Sequence, residues 1–191
     1  MNCGIKKSLQ WAFILLWFGV ASGFVIAMGS STSKTFDHDN RLAMQLMSLD
    51  FERDFVSALS LAKATEGNRI VHLTSPNDCF CQTLARSHIK KLNLLVENTN
   101  TNVVTLDIEQ HIALQKFIPS TPAIAVINDK EQLLYFGPYS QGSGCFSRSG
   151  KVDSIVSRKL LSMPQHNQST KPESVINAEA KGCYCHQPVA I

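Results

Sequence analysis

The stretch RIVHLTSPNDCFCQTLARSHIKKLNLLV, residues 69–96, decides the fold. Ile70, Val71 and Leu73 form a short apolar run, which suits a strand over residues 69–74. Ser75-Pro76-Asn77-Asp78 is a turn cluster. Cys79-Phe80-Cys81 comes directly after it. Ala85, Ile89, Leu92 and Val96 then recur at helical spacing, which predicts a helix from about Gln82 to Val96. A strand, a turn and a helix thus bring two cysteines to the start of a helix.

Working outward, residues 103–107 read as a second strand and residues 109–116 as a short helix. Ala123 to Ile127 and Gln132 to Phe136 flank the turn Asn128-Asp129-Lys130-Glu131, which predicts a hairpin. A last helix is expected over residues 150–162. Before the central stretch, residues 35–66 read as helical, with Leu42, Leu46 and Leu49 on one face and Phe51, Phe55, Leu59 and Ala62 continuing the spacing. Strand–helix–strand implies a parallel pair, and the hairpin adds antiparallel strands. The expected fold class is α/β, a mixed central sheet flanked by helices.

The N-terminus bears on compartment. Trp11 to Met28 is apolar except for Ser22 and two glycines, and Lys6 and Lys7 precede it. That pattern predicts one uncleaved transmembrane helix within residues 1–29 and export of the rest of the chain. The expected location is the inner (cytoplasmic) membrane, single-pass, with the C-terminal domain in the periplasm. Residues 35–162 then form the domain, and residues 163–191 a flexible polar tail. The net charge of +3 is weak and no basic stripe with aromatics appears, which argues against nucleic acid. No glycine-rich phosphate loop and no Gly-x-Ser-x-Gly is present.

Six cysteines occur: Cys3, Cys79, Cys81, Cys145, Cys183 and Cys185. At a helix N-terminus, unpaired N–H groups and the helix dipole favour a thiolate. Cys79 is the expected nucleophile and Cys81 the resolving thiol. The tail cysteines, with Cys145, read either as a second redox pair or as a disulfide stapling the tail. A further reading is metal: Cys79, Cys81, Cys183, Cys185 and His186 offer soft thiolate and imidazole donors for copper or zinc. His72, within a strand, reads as a packed core residue.

With its cysteines just after the first strand and Thr121-Pro122 directly before the hairpin, the chain resembles the thioredoxin-like superfamily. It is most similar in layout to a bacterial membrane-anchored thioredoxin-like family, with Cys-x-Cys in place of Cys-x-x-Cys. The resemblance implies a thioredoxin-like fold, a cis bond at Thr121-Pro122 and substrate binding at Thr121 and Pro122. The expected function is thiol–disulfide oxidoreductase or isomerase chemistry through Cys79 and Cys81, with no cofactor. Its partners would be exported protein thiols or disulfides and a membrane redox partner. The alternatives are a copper or zinc metallochaperone and a non-catalytic interaction domain with structural disulfides.

Overall fold

The computed structural model describes residues 3–31, 34–62, 67–75, 79–142, 151–161 and 172–188. It divides into two units, Met1–Ser33 and Lys34–Ile191. The first contains one helix, α1 (Cys3–Ser31). Among the described residues no helix is long and apolar enough to cross a membrane. This corrects the expectation of an N-terminal transmembrane helix. The apolar run inside α1 rises only about 27 Å at 1.5 Å per residue, short of a hydrocarbon core of about 30 Å. Gly19, Ser22 and Gly23 dilute it further.

The second unit runs in the order β1 (Lys34–Thr35), α2 (Arg41–Gln45), α3 (Phe51–Leu61), β2 (Arg69–Thr74), α4 (Phe80–Val96), β3 (Asn102–Asp107) and α5 (Ile112–Gln115). It continues with β4 (Ser120–Thr121), β5 (Ala123–Ile127), β6 (Leu133–Gly137), α6 (Lys151–Ile155), a π-helical turn over Val156–Leu161, β7 (Val175–Ile176), β8 (Lys181–Gly182) and β9 (Cys185–His186). Five strands form the main sheet in the order β3-β2-β5-β6-β7. β2 runs parallel to β3 and antiparallel to β5, and β5 and β6 form the hairpin.

Strand alternation sorts the core into two layers. Val71, Leu73, Ala125 and Ile127 pack with Phe36, Leu42, Phe55, Leu59 and Phe117 on one face. Ile70, Ile124 and Val126 pack on the other with Leu92 and Val96 of α4 and with Ile155 and Val156. Every residue of β5 and β6 is buried, so these strands stand at the centre.

The thioredoxin-like assignment is corrected with the membrane helix: the chain is a mixed α/β fold around this five-stranded sheet, joined by two further two-stranded sheets. The C-terminal segment makes the difference. Expected as a flexible tail, residues 172–188 instead add β7 parallel to β6, β8 to β1 and β9 to β4. Ala180 and Tyr184 bury in the core, where the Tyr184 ring meets Phe36 edge-on at 5.4 Å. The Phe36 N–H donates to Ala180 O at 2.7 Å.

The continuous helix expected over residues 35–66 is likewise broken. The Asp37 carboxylate accepts the N–H groups of Leu42 (3.0 Å) and Ala43 (2.7 Å), which starts α2 afresh after Asn40 at φ 56°. Leu42 is buried, but Leu49 is fully exposed in the turn before α3. Phe51, Phe55, Leu59 and Ala62 are buried as their spacing predicts.

Candidate functional site

α4 has no acidic residue in its first turn, and Cys79 caps it in an extended conformation (φ −86°, ψ 122°). Phe80 points to solvent, while Cys81 is only 9% exposed. Cys79 stands just outside the helix, and the structure does not join it to Cys81. Cys79 is bonded to Cys185 (Cα–Cα 6.2 Å) and Cys81 to Cys183 (Cα–Cα 5.3 Å). The two Cys-x-Cys segments are paired crosswise. The sulfurs of Cys79, Cys81 and Cys185 lie within 4.8 Å of one another.

The tail is seated by more than its disulfides. β9 pairs antiparallel with β4, with Thr121 opposite Cys185 and Ser120 opposite His186. The Gln187 N–H donates to Pro119 O at 3.0 Å, and Gln187 Nε2 donates to Thr121 Oγ1 at 3.0 Å. Arg41 donates to Gln187 O (2.9 Å) and Gln115 O (3.0 Å), with Asp39 pairing its guanidinium. Tyr184 Oη donates to Ser140 O at 2.9 Å. The Thr121–Pro122 peptide is cis, and Thr121 and Ser120 are fully buried beneath the tail.

Around this strand lie two histidines. The Ser120 hydroxyl donates to Phe36 O at 2.6 Å, which leaves its oxygen to accept from His186 Nδ1 at 2.9 Å. The His186 ring meets His38 edge-on at 4.8 Å. Burial, then the charges of His38 and Lys34, hold His186 below the ordinary histidine range, with Asp39 opposing. Cys81, Cys183, Pro122, Tyr139 and His88 line a small cavity of about 20 Å³, room for about one water molecule. His88 is buried there, and neither ring nitrogen has a hydrogen-bond partner among the described residues.

Of the residues expected at the site, Cys79, Cys81, Cys183, Cys185, Thr121, Pro122 and His186 converge at the α4 N-terminus and the β4–β9 pair. Cys145 and Asp78 lie outside the described residues. Arg41, Gln187, Tyr184, His38 and His88 were not read as part of it. Their roles depend on pairings more than a hundred residues apart for Arg41–Gln187, and no local pattern signals these. The one usable signal was the recurrence of Cys-x-Cys itself.

The family model described as a domain of unknown function (DUF6436) matches residues 48–187, which is most of the chain. No curated protein and no solved structure matches.

Proposed function

The chain belongs to the DUF6436 family, and we propose that it is a thiol–disulfide oxidoreductase or isomerase acting through Cys79 and Cys81 on exported polypeptides. One observation carries the reading: an extended strand lies on β4 beside the cis proline and delivers a cysteine, Cys185, to Cys79 at a helix N-terminus. A cysteine of an extended substrate presented on the same backbone groups would meet the same sulfur. Strand pairing of this kind supplies affinity through the main chain without requiring one sequence.

In the reduced protein, the Cys79 thiolate attacks a substrate disulfide. A Cys79–substrate bond forms, the substrate bond breaks, and the departing sulfur takes a proton. A second protein thiol, Cys185 or Cys81, then attacks the Cys79 sulfur and releases the substrate as a thiol. Two electrons pass from protein to substrate, and the reverse sequence oxidises a substrate dithiol. The disulfides favour an oxidising compartment outside the cytoplasm.

A chain carrying Cys3→Ser, Cys81→Ser, Cys145→Ser, Cys183→Ser and Cys185→Ser keeps Cys79 with no resolving thiol. It is expected to accumulate a mixed disulfide with an oxidised cysteine-bearing peptide, seen as a mass increase that dithiol removes. The same chain with Cys79→Ser added is expected to form no adduct. An adduct-free lone Cys79 in a folded chain contradicts the reading.

A further inference from the structure

We propose that the reduced site is a four-thiolate centre for a zinc-class divalent cation, held by Cys79, Cys81, Cys183 and Cys185. This goes beyond the exchange reading and rests on it only in requiring both disulfides to open. Three of the four sulfurs already lie within 4.8 Å of one another, and the fourth is bonded to one of them. A tetrahedral zinc with bonds of about 2.3 Å needs its sulfurs about 3.8 Å apart. Opening each S–S bond lets the paired sulfurs separate, while the three clustered sulfurs need to draw in by at most about 1 Å to reach that spacing.

What holds the sulfurs together without the S–S bonds is the seat of the tail. The β4–β9 pair, the Gln187 bonds to Pro119 and Thr121, the Arg41 bond to Gln187 and the buried Tyr184 are all independent of cysteine oxidation. The electrostatics also suit a thiolate cluster. Four thiolates around a divalent cation leave two negative charges. They sit at the N-terminus of the 17-residue α4, whose first turn carries no carboxylate, and a helix N-terminus stabilises thiolates. All-thiolate sets are soft and favour d10 cations over magnesium or calcium.

The chemistry balances with a dithiol as reductant. Each protein disulfide takes two electrons and two protons from one dithiol, which closes to its own disulfide. Binding then breaks four S–H bonds, releases four protons to solvent and forms four S–metal bonds. The same four sulfurs therefore hold either two disulfides or one cation.

The test uses the full chain, reduced with dithiol and desalted without oxygen, then titrated with zinc against a chromogenic chelator and with cobalt as optical probe. The expected result is one zinc per reduced chain and a cobalt spectrum with thiolate charge-transfer and tetrahedral bands. The oxidised chain is expected to bind none. Cys183→Ser is expected to weaken zinc by at least about 100-fold, since loss of even an outer-shell partner costs 10–100-fold. Cys3→Ser serves as the neutral control. Circular dichroism checks that each reduced chain is folded. A folded reduced chain that binds no zinc, or a Cys183→Ser chain that binds it as tightly, overturns the inference. Peptide exchange run in excess chelator separates the two ideas, because exchange that persists where zinc fails removes only the metal site.

Discussion

His72, inside β2, shows what one residue contributes. Its Nδ1 lies 2.6 Å from Tyr139 Oη and its Nε2 lies 2.9 Å from Asn93 Oδ1. An amide oxygen can only accept, so Nε2 carries the proton and Nδ1 accepts from the tyrosine. Burial pushes the imidazole below the ordinary 6.5, against a smaller opposing pull from Asn93. Burial also raises the Tyr139 hydroxyl well above its ordinary value, which keeps it a donor. The unfolded chain takes a proton at His72 near pH 6.5 and the folded chain only below that. Stability is thus fully present above about 6.5 and declines as pH falls through the window below it. A histidine NMR titration is expected to place the His72 midpoint below 6.5; a midpoint at or above 6.5 contradicts the packing. That His72 belongs to the core was legible, because it stands between apolar neighbours in a strand-length run. His186 was legible only as a donor, because the Ser120 and His38 contacts that set its state come from distant segments.

Among the elements, the β5–β6 hairpin was readable because its signals are local: two apolar runs and a four-residue polar turn. Its anchor was not. Arg69, at the start of β2, is fully buried and pairs through its guanidinium with both carboxylate oxygens of Glu131. Glu131 occupies the hairpin turn at φ 56°. The Arg69 pairing holds the Glu131 carboxyl below its ordinary range, against the opposing effect of burial. Glu131→Gln leaves a buried cation with a neutral partner. The expected cost is about 1.5–3 kcal/mol, the range for hydrogen bonds to charged groups, or a fall of roughly 3–12 °C in melting temperature for a chain of this size. Thermal unfolding measures it, and a change under about 0.5 kcal/mol, typical of surface substitutions, contradicts the anchor. The α2–α3 break was hidden for a similar reason. The leucine spacing of residues 42–49 is helical, but Asp37 caps α2 from outside it and β1 is held by β8, neither of which a helical period records.

For the whole molecule, the tail decides how the chain is closed. Its two disulfides span 106 and 102 residues, one nested inside the other. A closed loop of about 100 residues restricts the unfolded chain by roughly 4.7 kcal/mol; the nested second loop adds less, because its ends are already held close. The polar composition of residues 163–191 suggested a free tether. The few apolar residues that seat it, Val175, Ile176, Ala180 and Tyr184, gain meaning only against β6 and Phe36. The same strand that closes the fold occupies β4, so opening Cys79–Cys185 frees the Cys79 sulfur, and an extended substrate takes the β4 backbone groups only when β9 leaves them. A staple and an exchange centre differ in when those bonds open. The most direct test equilibrates the folded, oxidised chain in glutathione buffers of graded potential and follows both disulfides by thiol labelling and mass mapping, with circular dichroism alongside. Exchange chemistry predicts that Cys79–Cys185 opens and recloses reversibly while the sheet stays folded. If both disulfides resist until the chain unfolds, the cysteines are a structural clasp and the central claim fails.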